Sequence, residues 1–244
     1  MKIIIIIFIG LVGMVLGSFY ACMGYRIPNK ISLTKPNSFC ENCKKEIKWY
    51  MNIPVFSYLF LKGKCAYCKS KIDPLSFIVE ILTSLLFVIF YLRFGLSINF
   101  FLGIVLTSVL GVTIISDFRY YYISDRVVVL ALLFILILIY VEKDYFFVKI
   151  ISAFVVSILI LIIKLIGDKV FKRESLGWGD IKLLFVISLA SGFYSTLISL
   201  IIACSTTLVY YYLSKHEEKE IPFGPFLLIG ALIVLFVAPN YSIF

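Results

Sequence analysis

The sequence predicts an all-α polytopic membrane protein with about eight transmembrane helices and one small extramembrane loop domain. Three observations carry that fold class. Hydrophobic residues fill 62% of the 244 positions, leaving too little polar surface to cover a soluble domain. Apolar runs long enough to cross a bilayer recur along the whole chain. Lys and Arg gather in alternate loops, the asymmetry that orients helices in a membrane.

The first element is "MKIIIIIFIGLVGMVLGSFYAC". It has the cation and apolar stretch of a signal peptide but no A-x-A cleavage site, so it reads as a retained transmembrane helix over 3–23. Further spans are expected at 74–92, 99–116, 127–141, 148–166, 179–192, 195–213 and 225–242. "ASGFYS" reads as a tight turn between the sixth and seventh. Gly13 and Gly17, four residues apart, suit a close helix contact. The tyrosines at 120–122 and 210–212 fit an interfacial aromatic belt. Three domains follow: 1–23, the first transmembrane helix; 24–73, a cysteine-containing loop domain; and 74–244, the remaining bundle.

Orientation comes from charge. Arg26, nine lysines from Lys30 to Lys71, Arg119, Arg126, Lys169, Lys172, Arg173, Lys215 and Lys219 fall on one side, and Lys2, Arg93, Lys143 and Lys149 on the other. Seventeen against four puts the basic loops in the cytoplasm and both termini outside. This distribution accounts for the net charge of +9 without a nucleic-acid partner. The basic loops also suit anionic lipid headgroups.

The loop 24–73 holds two C-x-x-C knuckles, Cys40/Cys43 and Cys65/Cys68, separated by 21 residues. That gap is slightly longer than the usual four-cysteine zinc pattern. Each knuckle can offer two thiolates to one tetrahedral ion, and four protein ligands make the site structural. Neighbouring lysines favour thiolate. A loop of this size builds little core, so a metal would supply folding energy. A redox dithiol or a pair of disulfides is the competing reading, and a cytoplasmic placement weighs against stable disulfides. Cys22 and Cys204 lie in apolar stretches and read as core residues.

Acids near hydrocarbon are costly and must pair, protonate or work. Asp117 ends the third span, Asp125 follows in "YYISDR", and Asp180 opens the sixth span in "GWGD". The predicted topology brings all three to one membrane face. Two close carboxyls hold one proton between them near neutral pH. The charged one can take a proton from water while the neutral one donates to a carbonyl oxygen, which hydrolyses a peptide without a covalent intermediate. Gly177 and Gly179 are expected to supply backbone conformations closed to other residues and to leave room for a substrate backbone. The competing reading makes these aspartates helix caps. Glu80 inside the second span and Lys182 beside Asp180 are further candidates for supporting roles, whereas His216 in "SKHEEKE" reads as a solvated loop residue.

Taken together, "GSFYACMGYRIP", the cysteine loop through "KIDPLSFIVEILT", "SDFRYYYISDR", "GWGDIKLL" and "EIPFGPFLLIGALI" resemble, in order and spacing, the bacterial type IV prepilin peptidases, membrane aspartyl proteases of the GxGD class. The resemblance implies that Asp117 and Asp180 are the catalytic pair, with Asp125 structural and Cys40, Cys43, Cys65 and Cys68 the zinc ligands. It implies a prepilin or pseudopilin substrate with a basic leader, cleaved after a glycine at the cytoplasmic face and serving pili, secretion or competence. It also implies N-methylation of the new N-terminus with S-adenosylmethionine, placed near the zinc loop and Glu80. The alternative is a non-enzymatic scaffold or transporter whose zinc loop docks a partner. Acids gathered at one face rather than along a path across the bilayer count against a transporter.

Overall fold

A computed structural model describes residues 2–143, 145–172, 174–214 and 221–238. Arg173, Lys215, His216, Lys219 and Glu220, named above, lie outside them. The described residues form helices α1 (Lys2–Arg26), α2 (Phe56–Phe60), α3 (Pro74–Phe94), α4 (Ile98–Tyr120), α5 (Asp125–Glu142), α6 (Phe146–Phe171), α7 (Trp178–Ser191), α8 (Phe193–Ser214) and α9 (Gly224–Val237). The expected spans fall on helices, with positions 239–242 of the last one outside the described residues, and the protein is an all-α polytopic membrane protein. Among the described residues, however, five helices are long and apolar enough to cross a membrane: α1, α3, α4, α6 and α8. The other three expected spans differ for identifiable reasons. The 14-residue helices α7 and α9 reach only about 21 Å at 1.5 Å per residue, short of a bilayer core of roughly 30 Å. Helix α5 carries Asp125, Arg126 and Glu142 in its 18 residues.

Helix α4 forms the centre. It buries residues from Phe100 to Asp117 and packs on α1, α3, α5 and α9. Helix α1 lies along α3, and its glycines permit the approach. A Cβ on Gly13 would sit 2.7 Å from the Cα of Ser84, and one on Gly17 would sit 2.8 Å from the Cα of Glu80. The expected close contact at this small-residue pair is therefore present. The outer faces of α5 and α6 expose Leu133, Ile137, Ile158 and Ile162, an apolar exterior suited to lipid. Gly192 alone joins α7 to α8, at φ +82, and donates its N–H to the Ser188 carbonyl at 2.8 Å. The turn expected at "ASGFYS" is this one.

Two cysteines depart from expectation. Cys204 is exposed and Cys22 only half buried, because Cys204 lies on the outer side of α8 and Cys22 lines a cavity below the loop domain. Neither is a core residue.

Candidate active site

Asp117 sits in the last turn of α4 and is buried. The helix ends four residues later, where Tyr121 adopts a left-handed conformation (φ +50, ψ +40) and donates its N–H to the Asp117 carbonyl at 3.0 Å. This cap turns the chain back before Ser124 starts α5. The Asp117 carboxylate accepts a hydrogen bond at Oδ2 from the backbone N–H of Gly224, 3.1 Å away. Gly224 begins α9 within "PFGP", where the first-turn N–H groups have no intrahelical acceptor. A Cβ at Gly224 would meet Thr113 Cγ2 at 3.0 Å and Asp117 Oδ2 at 3.1 Å.

Asp180 lies in the first turn of α7 and is also buried. Its N–H donates to the Gly177 carbonyl at 3.2 Å. Helix α9 packs against both α4 and α7, and Ile123 lies against both Gly179, next to Asp180, and Gly224, whose N–H binds Asp117. The glycines on either side of Trp178 depart from one half of the sequence expectation, the unusual backbone. Gly177 has φ −68 and ψ +143, an ordinary extended conformation, and Gly179 is helical. They provide space rather than unusual backbone. A Cβ on Gly179 would lie 2.8 Å from the Cβ of Ile123, and one on Gly177 would lie 3.1 Å from Asp180 Oδ2. Gly179 thus lets the chain after Asp117 pack directly on the start of α7.

The surrounding polar residues fasten this end of the bundle. Lys182 donates to Asp125 Oδ1 at 2.6 Å, joining α7 to α5. Both side chains are largely exposed, so the bridge is weak, and Lys182 pairs with Asp125 rather than with either buried aspartate. Three partners were not singled out from the sequence. Lys164 is 2% exposed. It donates to the Leu176 carbonyl at 2.5 Å, pairs with Asp168 at 3.3 Å and lies over the Trp178 ring. Asp168 Oδ1 accepts from the N–H and hydroxyl of Ser175 at 2.7 and 2.8 Å. Together they clasp the segment that delivers Asp180. The Lys164–Asp168 spacing of four residues was the available signal, since it places both on one helix face. Arg119, two residues after Asp117, hydrogen-bonds Asp73 at the start of α3 and Glu41 in the first knuckle.

Glu80 is buried in α3, and its Oε2 accepts the Val55 N–H at 2.6 Å. It therefore anchors the loop domain to the bundle. Above it lies a cavity of about 720 Å³, bordered by Ser18, Tyr25, Glu41, Asn52, Tyr58 and Glu80 among others.

The knuckles repeat one local pattern. Cys40 and Cys65 each accept at their carbonyl the N–H of the residue four on, Lys44 or Lys69, both at positive φ. Cys40 and Cys65 donate their own N–H groups to the carbonyls of Lys45 and Ser70. The four sulfurs of Cys40, Cys43, Cys65 and Cys68 all lie within 4.8 Å of one another. A tetrahedral ion with Zn–S bonds of about 2.3 Å separates its thiolates by about 3.8 Å, so the donor set fits zinc. All four are free thiols. The hydroxyl and backbone N–H of Ser70 hold the Cys68 thiol down to about 6, which favours a metal-binding thiolate.

Two family models match the chain. Residues 11–94 match the bacterial peptidase A24 N-terminal domain, and residues 104–212 match the type IV leader peptidase family. The prepilin leader peptidase/N-methyltransferase of Vibrio cholerae is 31% identical over 258 residues, covering 97% of this chain and 98% of the relative. The chain belongs to the type IV leader peptidase family. The Bacillus subtilis member named prepilin leader peptidase/N-methyltransferase is 29% identical, covering 91% of this chain and 90% of its own length. The type 4 prepilin-like proteins leader peptide-processing enzyme of Escherichia coli is 26% identical over 92% of this chain and 91% of its own length. No solved structure matches the chain. For this leader peptidase family member, the two aspartates, the GxGD turn and the cysteine loop all fall within the matched regions.

Proposed function

We propose that this chain is a membrane-embedded aspartyl endopeptidase that removes the basic leader of type IV prepilins or pseudopilins after a glycine. The observation that carries the reading is the convergence of two buried aspartates, Asp117 and Asp180, from helices whose approach depends on Gly179 and Gly224. The charge asymmetry of the loops supports placing this end at the cytoplasmic face of the bacterial plasma membrane, with both termini outside.

The pair holds one proton. Its ionised carboxylate takes a proton from water as the water oxygen bonds to the scissile carbonyl carbon. The protonated partner gives its proton to the carbonyl oxygen, forming a neutral tetrahedral diol. The first acid then returns its proton to the departing amine as the carbon–nitrogen bond breaks, while its partner carboxylate takes a proton from one diol hydroxyl, which leaves a carboxylic acid product and restores the shared proton. The Gly224 N–H orients Asp117 for this exchange. Zinc on the four cysteines has a structural role, holding the loop over the bundle.

A second activity, N-methylation of the new N-terminus, is supported by the cavity above Glu80. Its volume of about 720 Å³ is in the range of cofactor pockets. Its lining carries three acids, Glu41, Asp73 and Glu80, against two cations, Arg26 and Lys71, a balance that suits the cationic S-adenosylmethionine, which would supply the methyl group when bound.

The test is mass spectrometry of a prepilin co-expressed with the wild type, Asp117→Asn or Asp180→Asn. The expected result is a leader lost only with the wild type, with one added methyl mass on the product. Cleavage by both variants at the wild-type rate would overturn the aspartyl reading.

A further inference from the structure

The loop domain carries an apolar surface that neither the peptidase reading nor the zinc reading uses. Within twelve positions it exposes Trp49, Tyr50, Ile53, Phe56, Leu59 and Phe60, with Trp49 81% and Phe60 84% accessible. Trp49 and Tyr50 begin a 3-10 turn (Trp49–Asn52) that packs against α2. Helix α2 is amphipathic in an inverted sense. Phe56, Leu59 and Phe60 share one face at i, i+3 and i+4 and are open. Tyr58 points the other way, stacked on Phe77 with ring centroids 4.5 Å apart. Phe77 is in the first turn of α3, a helix long and apolar enough to cross the membrane. Next to it along α3, Ile78, Ile81 and Leu85 are exposed as a lipid-facing stripe. The open face of α2 therefore stands at the level where α3 enters the bilayer.

The residues flanking this patch are cationic. Lys48, Lys62 and Lys64 are exposed, and the Lys48 ammonium lies over the Tyr50 ring. Apolar aromatic side chains bordered by lysines are the chemistry of an interfacial anchor. The rings enter the headgroup boundary, and the ammonium groups meet lipid phosphates. Water is a poor environment for this many adjacent apolar side chains.

We propose that the 3-10 turn and α2 form a foot that inserts into the headgroup region of an anionic leaflet and braces the loop domain against the membrane surface. The inference is independent of the peptidase reading and needs only the membrane placement of α3.

The sequence contains two tryptophans, Trp49 and Trp178, so Trp49 can be read on its own. Full-length Trp178→Phe is reconstituted in phosphatidylcholine vesicles with and without phosphatidylglycerol, using lipids brominated at shallow or deep acyl positions. Trp49 emission should be blue-shifted and quenched about two-fold by shallow bromines, less by deep ones. The effect should grow with phosphatidylglycerol and lose that growth in Lys48→Gln/Lys62→Gln/Lys64→Gln. Should Trp178→Phe fail to fold, subtracting the Trp49→Phe spectrum from the wild-type spectrum gives the same signal with Trp178 in place. Water-like, unquenched emission in both vesicles would overturn the foot. A blue shift arising only when a prepilin is added would also overturn it, assigning the surface to a protein partner.

Discussion

The loop domain and the helical bundle of this protein are ordered by different means. In the bundle, α4 is buried along most of its length and glycines bring helix backbones into contact. The loop domain has few buried side chains; Cys65 is its buried apolar residue. It is held by two repeated knuckle turns, the Val55 N–H bond to Glu80 and the Arg119 bonds to Glu41 and Asp73, with four convergent thiols placed to take a metal. Packing distributes stability over many contacts, so one loss is local. A staple concentrates stability at one point, so one loss is general. The bundle should therefore survive what dissolves the loop.

The sharpest way to break this contrast is to remove the metal. A structural zinc site contributes on the order of 10 kcal/mol of folding free energy. Chelation, or Cys40→Ser with Cys65→Ser, should abolish hydrogen-exchange protection between the knuckles while α4, α7 and α9 stay protected. Simultaneous loss of protection in α4 would mean the two regions fold as one unit. Next in size are the aspartates. Asp117→Asn and Asp180→Asn should each lower cleavage by about 10²–10⁴-fold, the usual scale of acid–base catalysis, with unchanged helicity by circular dichroism.

The clasp behind Asp180 sharpens the comparison further, because it is a staple inside the packed region. Lys164→Met should cost about 10²-fold in kcat through misplacement of Asp180, with little change in the temperature at which the bundle unfolds. Gly179→Ala asks Ile123 to move and should cost about tenfold in cleavage, with Ile123→Ala restoring part of the loss. Smallest is the exposed bridge between helices. Lys182→Ala should change stability by less than about 1 kcal/mol, measured by thermal unfolding in detergent.

Much of this was legible in sequence because membranes impose strong rules. Apolar length located every long helix, and the paired C-x-x-C spacing located the thiol cluster. Asp117 and Asp180 stood out because an acid beside hydrocarbon is conspicuous. The sixth span is already short in sequence, cut off by its glycine turn, whereas the short reach of α9 was less legible. The Gly224 amide at Asp117 was hidden because a backbone donor leaves no mark of its own in the sequence. For the glycine pair of GxGD the expected conformational freedom is absent, since both residues have ordinary dihedrals, and the space they leave is taken up by Ile123 and the Asp180 carboxylate. The paired role of Lys182 depended on how α5 and α7 face each other, which spacing along one helix does not reveal.

The hydrogen bond from Gly224 to Asp117 joins residues 107 positions apart. Ribosomes release the α4 aspartate into the membrane long before the N–H that orients it has been synthesised. An inserting chain thus holds Asp117 and Asp180 without the helix that packs against both. On the proposed mechanism the pair is completed only when α9 docks, so a half-made chain would hold both acids without the amide that orients Asp117.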